Sequence, residues 1–264
     1  MLEITIEKEQ EIESAAAAEA RWLLPVYAQM AVEPVSGRGV ELTTRDGRTF
    51  LDFYGGHAVA LLGYRHPRLL EALGHQAEEL FFQSNVAPLA VRARAAKRLI
   101  EFAPAGLVRA FLVNSGAEAN ENALRLALRA TGRTRIVALE GSFHGRTAAA
   151  GAVTWGSEKW AGFPYKPFDV TFVPRGGVEG LDALDRALIV GDVAAVILEP
   201  VQGMAGAVDL GVEYLRAVRD LTAKHEVKLI FDEVQCGMGR TGFPFAAQRA
   251  DVLPDLLTTA KGLA

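Results

Sequence analysis

The stretch that decides the fold is Val193–Leu198, with the sequence VAAVIL. Six consecutive apolar residues are typical of a strand covered on both faces, as in a parallel sheet. A helical pattern follows over Val212–His225, and a second apolar run follows over Lys228–Phe231. A strand, a helix and a strand in this order predict one right-handed crossover unit.

The same alternation occurs on the N-terminal side of this unit. Strands are predicted over Val108–Val113, Arg135–Leu139 and Val170–Val173. Helices are predicted after the first of these strands, to about Ala130, and over Val178–Ile189. Repeated strand–helix units predict an α/β fold, in which helices cover both faces of a mostly parallel sheet. Ligands of such sheets collect at the carboxyl ends of the strands.

The first part of the chain has a different pattern. A helix is predicted over residues 14–31, capped by Ser14 and bent or ended by Pro25. Residues Gly39–Phe53 predict a hairpin, because Arg45-Asp46-Gly47 is a strong turn signal between two β-rich runs. Two more helices are predicted, over Pro67–Phe82 and Pro88–Phe102. We therefore expect an N-terminal helix and hairpin segment, 1–66, and a large ligand-binding domain, 67–264.

Composition and charge argue against several classes of protein. The chain has 264 residues, half of them apolar, which is enough for a large core. A net charge of −4 gives no basic field for nucleic acid. The single Cys236 rules out an internal disulfide framework, and no Cys/His cluster indicates a metal. The acidic start and the absence of a long apolar run predict a cytoplasmic protein without membrane partners.

The first motif with chemistry is NSGAEAN, residues 114–120, between a predicted strand and a predicted helix. Ser115 can cap the helix, and Glu118 completes a capping box. Gly116 allows a ligand to approach the backbone, and the free amides of a helix start bind phosphate. An ordinary capped helix explains the same residues about as well.

Two more motifs follow predicted strands. In GSFHGRT, residues 141–147, Phe143 can stack on a planar ring and Arg146 can bind a carboxylate. A core phenylalanine and a solvated arginine are the simpler interpretations. In EPVQG, residues 199–203, the Glu199 carboxylate can face a site or can anchor the turn that Pro200 and Gly203 form.

The last two motifs combine a buried acid and a lysine. Asp232 ends a hydrophobic strand, where a carboxylate needs a positive partner. A protonated pyridine nitrogen is one such partner, and Arg240 is another. Cys236 has no histidine placed beside it by the sequence, so we interpret it as a small structural residue. Lys261 follows an apolar run, and a desolvated lysine amine becomes nucleophilic, although a lysine here can also be solvated.

Taken together and in order, these motifs resemble the class III (subgroup II) pyridoxal-phosphate-dependent aminotransferases, and especially the acetylornithine and LysW-γ-lysine types. The resemblance covers roughly residues 20–264 and includes two further stretches, YGGHAV at 54–59 and LGYRHP at 62–67. Five matches in the same order leave little room for chance. The resemblance implies the large domain of the fold type I transferases, preceded by a segment of the small domain.

The family implies a role for each matching residue. Ser115, Gly116 and Ala117 would hold the phosphate of pyridoxal 5'-phosphate, while Phe143 and Val234 would lie on the two ring faces. Asp232 would pair with the pyridine nitrogen, and Gln235 would lie near the ring hydroxyl. Lys261 would form the Schiff base and move the proton. Two residues would act on the substrate. Arg146 would bind its carboxylate, and Glu199 would be the switch residue that lets one site accept both the ω-amino donor and glutamate.

The implied reaction transfers the terminal amino group of N-acetylornithine, or of a similar ω-amino donor, to 2-oxoglutarate. The products would be an aldehyde and glutamate. The donor can also be that of another class III aminotransferase: ornithine, LysW-γ-lysine or 4-aminobutyrate. An aminomutase is a further alternative. A homodimer is expected, because the family builds its active sites at a dimer interface.

The chain departs from the family pattern at its C-terminal end. Relatives continue past the position of Lys261 with a glycine-rich stretch, a phosphate-binding Ser or Thr, and a C-terminal domain. That domain carries an arginine for the glutamate carboxylate. We therefore expect the 264-residue chain to be truncated, poorly stable and inactive by itself. A non-catalytic fragment that serves as a dimerisation or binding module is the alternative from another class.

Overall fold

The structure, a computed structural model, describes residues 14–159 and 163–263. The acidic start of the chain lies outside the described residues. Contacts between residues divide the chain into two units, one ending at Phe81 and the other beginning at Phe82. This division falls later than the sequence boundary at 66/67, because the helix that begins at Pro67 belongs to the first unit.

The first unit contains three short strands between helices. Its sheet has the order β1–β2–β3, and both pairings are antiparallel. The predicted hairpin is confirmed as β2 and β3, with Gly47 at φ +81° in the turn. The elements are α1 (Ala15–Trp22), β1 (Pro34–Arg38), β2 (Glu41–Thr44), β3 (Thr49–Leu51), α2 (Gly55–Ala58) and α3 (Pro67–Glu79).

The first helix is shorter than predicted. Ser14 caps it as expected, because its hydroxyl accepts a hydrogen bond from the Ala17 N–H at 3.0 Å. The helix ends at Trp22 instead of continuing to residue 31. Proline disfavours helical backbone in the residue before it, so a helix approaching Pro25 stops early.

The second unit alternates strands and helices. Two single-turn 3-10 helices, Ser157–Lys159 and Lys261–Leu263, complete it. Its elements are α4 (Ala90–Phe102), α5 (Gly116–Thr131), β4 (Arg135–Leu139), α6 (Ala148–Ala152), β5 (Asp169–Val173), α7 (Gly177–Ile189), β6 (Val193–Leu198), β7 (Val201–Gln202), β8 (Val208–Asp209), α8 (Val212–Lys224), β9 (Lys228–Asp232), α9 (Ala246–Ala250) and β10 (Leu256–Thr258).

The main sheet of this unit is parallel throughout. Its strand order is β10–β9–β6–β4–β5, and every neighbouring pair is parallel. The central strand β6 is fully buried, as the VAAVIL run predicts. Residues alternate between the two faces, so Val196 and Leu198 pack with α7 and α8, while Ala195 and Ile197 pack with α5. The α/β fold class is therefore confirmed.

One predicted strand is wrong. Residues 108–113 have no strand structure, and Val108, Phe111 and Leu112 are exposed. An apolar run becomes a strand only where a neighbouring backbone offers hydrogen bonds, and the sheet of the described residues ends at β10. Strand β10 was itself not predicted, because its three residues are too few to show a period.

None of the described helices has both the length and the apolar character that crossing a membrane requires.

Candidate functional site

The functional motifs of the second unit meet at the carboxyl ends of its strands. Residues 141–147 follow β4, residues 199–203 follow β6, residues 232–235 end and follow β9, and Lys261 follows β10. The start of α5 joins them, because Gly116 lies against the side chain of Val234 and Ala117 lies against Gly145. The parallel order of the strands brings these segments to one edge, as the sequence predicts.

Asp232 is the best-connected acid at this edge. Its side chain is almost fully buried, and Oδ2 accepts hydrogen bonds from Asn120 Nδ2 and His144 Nδ1, each at 2.7 Å. Its Oδ1 accepts a bond from the Val234 N–H at 3.0 Å. The alternative partner, Arg240, is exposed and forms no ion pair with it. The titratable side chain that donates to it within the described residues is that of His144.

His144 was not singled out by the sequence analysis, although it stands in the GSFHGRT motif. It is 2% exposed, and its backbone N–H donates to Thr154 Oγ1 at 2.9 Å. Because an ionised carboxylate only accepts hydrogen bonds, its Nδ1 carries a proton when Asp232 is ionised. Its Nε2 is buried and has no hydrogen-bond partner among the described residues. The sequence feature that could have identified His144 is Asp232, because a buried carboxylate requires a hydrogen-bond donor.

Glu199 is a second buried carboxyl close to Asp232. Its Oε1 accepts from the Phe143 N–H at 2.8 Å and its Oε2 from the Gly203 N–H at 3.3 Å. Burial raises its pKa to about 7, although the neighbouring His144 and the two N–H donors oppose that change. Glu199 therefore anchors its own turn and lies close to Asp232.

Lys261 is half-buried beside these acids. Burial lowers the pKa of its amine, while the charges of Asp232 and Glu199 partly restore it. Its backbone lies in the left-handed region, with φ +49°, which is uncommon for lysine. The lowered pKa indicates an amine that is partly removed from solvent and lies within range of the charges of both carboxyls.

The start of α5 is built for close approach. Ser115 caps the helix, since its Oγ accepts from the Glu118 N–H at 3.1 Å. A Cβ at Gly116 would come within 2.7 Å of a Val234 methyl group, so the position requires glycine. The capping box is altered: the Glu118 carboxylate accepts from the Asn114 N–H at 2.6 Å instead of from that of Ser115. The first N–H groups of any helix lack partners within the helix, which suits an anion.

The other predicted site residues lie in the same group. The guanidinium of Arg146 is 5.8 Å from the centre of the Phe143 ring, within range of a cation–π contact. The side chain of Gln235 packs on the backbone of Gly203, where a Cβ would overlap its Oε1. The sequence-predicted residues therefore all lie on the segments that the sheet edge brings together.

Two residues beside the site, Cys236 and Glu233, have structural roles. Cys236 is buried, and burial raises the pKa of its thiol well above the usual range, which keeps it protonated. Glu233 is fully buried and accepts hydrogen bonds from the Ala246 and Ala247 N–H groups at the start of α9. Over the residues that the structure describes, no cluster of three or more His, Cys, Asp or Glu side chains is arranged to hold a metal.

The arrangement can hold a positively charged heteroaromatic ligand beside a nucleophilic amine. Asp232 offers a buried carboxylate to a cationic ring nitrogen, and Lys261 offers an amine whose pKa is lowered by burial. The start of α5 offers N–H groups to an anion. Together these three features match a ligand that carries a basic ring nitrogen, a carbonyl and a phosphate.

Comparisons with known proteins identify relatives of this chain. The acetylornithine aminotransferase of Mycobacterium leprae is 41% identical over 254 residues, which are 95% of this chain and 62% of that protein. The crystal structure of N-acetylornithine aminotransferase from Stenotrophomonas maltophilia has a TM-score of 0.76 and 34% identity, and the match covers 93% of this chain and 61% of the other.

A third similar protein is the ornithine aminotransferase from Toxoplasma gondii, whose structure has partial occupancy of pyridoxal phosphate at its active site. Its TM-score is 0.86 at 29% identity, and the match covers 93% of this chain and 58% of that one. This chain therefore spans about three-fifths of the length of its relatives. Residues 25–264 match the family described as aminotransferase class-III. The chain belongs to the class-III aminotransferase family.

Proposed function

We propose that the chain carries the cofactor-binding part of a pyridoxal-phosphate-dependent aminotransferase. The reaction transfers the terminal amino group of N-acetylornithine, or of a similar ω-amino donor, to 2-oxoglutarate. The observation that carries the proposal is the pairing of a buried carboxylate, Asp232, with the burial-perturbed amine of Lys261 at one sheet edge.

The residues present fit pyridoxal phosphate. Asp232 would meet the ring nitrogen, and hydrogen bonds from Asn120 and His144 hold its carboxylate in place. Gly116 allows the Val234 side chain to pack against the start of α5, and the free N–H groups of this helix start would accept the phosphate. Phe143 and Val234 would lie on the two faces of its ring, and Gln235 would lie near the ring hydroxyl. When bound, the cofactor supplies an electron sink that stabilises negative charge on the substrate carbon.

The protein's own groups handle the protons of the reaction. Lys261 spends more time as a neutral amine than a solvated lysine does, because burial lowers its pKa. Its Nζ can therefore act as a nucleophile and as a base towards a substrate carbon. Glu199, with a pKa of about 7, can hold or release a proton at neutral pH. Arg146 binds the substrate carboxylate and so directs the ω-amine towards the lysine.

N-acetylornithine is supported as the donor by relatives that carry this name at about two-fifths identity over most of the chain. Ornithine is the second candidate, supported by the fold of the Toxoplasma gondii enzyme. LysW-γ-lysine and 4-aminobutyrate are further donors to be tested. We also propose that the protein is a cytoplasmic homodimer. Its pathway is then amino-acid biosynthesis, of arginine for the acetylated donor or of lysine for the LysW-bound one.

A donor panel tests this proposal. A version of the protein with the length of its relatives is incubated with pyridoxal phosphate, 2-oxoglutarate and each donor in turn, and glutamate formation is measured. N-acetylornithine should give the highest kcat/KM, and Lys261→Ala should abolish the reaction. Lys97→Ala, the same change on the exposed side of α4, serves as the control. Turnover that survives in Lys261→Ala would contradict the assignment of the lysine, and a clear preference for ornithine would move the substrate to the second candidate.

A further inference from the structure

Asn120 is a buried amide with all of its principal hydrogen-bonding groups engaged. It is 1% exposed and lies in the second turn of α5. Its Nδ2 donates to Asp232 Oδ2 at 2.7 Å and to the His144 backbone carbonyl at 2.8 Å. Its Oδ1 accepts from Thr258 Oγ1 at 2.6 Å. Because Asp232 and the carbonyl only accept and the hydroxyl donates, these partners fix the orientation of the amide.

The partners of Asn120 belong to different segments of the candidate site. Asp232 ends β9, His144 lies in the loop after β4, and Thr258 ends β10, three residues before Lys261. Asn120 itself follows the Gly116 and Ala117 positions on α5. One side chain therefore links every segment that carries a proposed cofactor contact, except the turn of Glu199.

We propose that Asn120 is a positioning residue, which fixes the Asp232 carboxylate and couples it through Thr258 to the strand that precedes Lys261. The inference rests on the proposed function, because it concerns how the two cofactor-binding groups keep their geometry. Asn120 acts through Asp232 and Thr258 and makes no contact with the reacting atoms itself.

The hydrogen bonds also decide which oxygen of Asp232 faces the cofactor. Oδ2 receives two donors, from Asn120 and His144, and these fill its lone pairs. Oδ1 receives the Val234 N–H, so within the described residues it keeps one lone pair for a further donor. The cofactor nitrogen is therefore assigned to Oδ1. Without Asn120 the carboxylate could rotate about its Cβ–Cγ bond, and this selection of one oxygen would weaken.

The first experiment breaks the link to β10 without touching Asp232. Thr258→Val has the same shape as threonine but lacks the donor, so it leaves Asn120 Oδ1 without its partner in a buried place. Pyridoxal phosphate affinity is measured by titration of the visible absorbance of the full chain. We expect about tenfold weaker binding in Thr258→Val, because an Asn120 amide without the Thr258 donor holds the Asp232 carboxylate less firmly in its binding orientation. Thr258→Ser, which keeps the hydroxyl, should restore most of the affinity.

The matched control is Thr222→Val, a buried threonine on α8 whose hydroxyl bonds within its own helix. This variant loses a buried hydroxyl of the same kind away from the site, and its cofactor affinity should equal that of the unchanged chain. Equal pyridoxal phosphate affinity in Thr258→Val and the unchanged chain would overturn the proposed coupling of Asp232 to β10 through Asn120 and Thr258. An equal loss in Thr222→Val would also overturn it, because the effect would then be one of general stability.

The second experiment replaces the amide by an isosteric acid, Asn120→Asp. Two carboxyls this close share one proton at lower pH, and the protonated acid then imitates the amide donor. At higher pH both ionise and repel each other. The titratable groups that interact with the Asp232 carboxylate of this pair are His144, Glu199, Lys261, Glu233 and Cys236. Cofactor affinity of Asn120→Asp should be near normal at low pH and fall at least tenfold as the pH rises, relative to the unchanged chain.

The readout is cofactor affinity over a pH range in which circular dichroism shows an unchanged folded fraction. A profile for Asn120→Asp that runs parallel to that of the unchanged chain would overturn the inference while leaving the proposed function intact. A failure of the unchanged chain to bind the cofactor through Lys261 would overturn the proposed function, and this inference with it.

Discussion

Glu199 shows how burial gives one residue two tasks. The N–H groups of Phe143 and Gly203 hold its carboxylate in the turn after β6, and burial raises its pKa to about 7. An ordinary glutamate is fully ionised at neutral pH and cannot exchange a proton there. A carboxyl with this pKa, near Lys261, can take a proton from the amine or return it.

The raised pKa of Glu199 predicts how stability depends on pH. Between the ordinary value of 4.5 and about 7, the folded state binds this proton more tightly than the unfolded state does. The stabilisation is therefore complete below 4.5 and is lost as the pH rises to about 7, with a slope of at most about 1.4 kcal/mol per pH unit. Glu233, whose pKa is also raised to about 7, adds a slope of the same sign.

Glu199→Gln should flatten part of this slope, because glutamine does not titrate. The measurement is urea unfolding of the cofactor-free chain at a series of pH values from 4.5 to 7.5. Glu213→Gln makes the same change on an exposed face of α8 and should leave the slope as it is. An identical slope in Glu199→Gln and the unchanged chain would show that the Glu199 carboxyl titrates normally.

At this scale the sequence identified the acids and the lysine but not their partners. Asp232 could be recognised because a carboxylate at the end of an apolar strand is costly. Arg240 was proposed as an alternative partner and is exposed instead. Asn120 and Thr258 are separated by 138 residues and meet only through the fold. No local pattern encodes such a contact, so their roles could not be predicted.

At the scale of elements, Glu121 shows how one helix organises the start of another. It lies on α5, and its carboxylate accepts hydrogen bonds from the Ala149 and Ala150 N–H groups and from Thr147 Oγ1, at 2.6–3.1 Å. These are the groups that the short helix α6 leaves without partners at its start. Because α6 begins directly after the loop of Arg146, the same bonds fix the end of that loop.

Glu121→Ala should lower the free energy of unfolding by about 1–2 kcal/mol, since it removes a cap and leaves buried donors unsatisfied. Glu121→Gln keeps one acceptor oxygen and should lower the free energy of unfolding by less. Urea unfolding of the two variants and the unchanged chain measures the order of their free energies of unfolding. A Glu121→Ala chain as stable as the unchanged one would mean that solvent replaces the carboxylate at the start of α6.

The elements themselves were mostly predictable. Strands β4 and β6 have the predicted bounds, and β5, β9, α7 and α8 differ by one residue at one end. These elements have clear periods or unbroken apolar runs. The predicted strand at residues 108–113 was wrong for a different reason. The run has the composition of a strand, but a strand also needs a neighbouring strand to which its backbone can hydrogen-bond. Pairing is a property of the sheet, which a local pattern does not contain.

At the scale of the whole molecule, the parallel sheet explains why distant motifs form one site. The segments that carry Gly116, Phe143, Glu199, Asp232 and Lys261 come from far apart in the sequence, and the sheet brings the loops after its strands to one edge. Two apolar layers on the faces of this sheet hold it rigid. The site therefore depends on the order β10–β9–β6–β4, more than on any single loop.

The measurement that tests this account most directly is the covalent trapping of pyridoxal phosphate on the protein. The full chain is mixed with the cofactor, reduced with borohydride and digested, and the modified peptide is located by mass spectrometry. We expect stoichiometric modification at Lys261, and strongly reduced modification in Asp232→Ala, because both groups would hold the same ring. Modification spread over exposed lysines, or a Lys261 yield that is unchanged in Asp232→Ala, would contradict it.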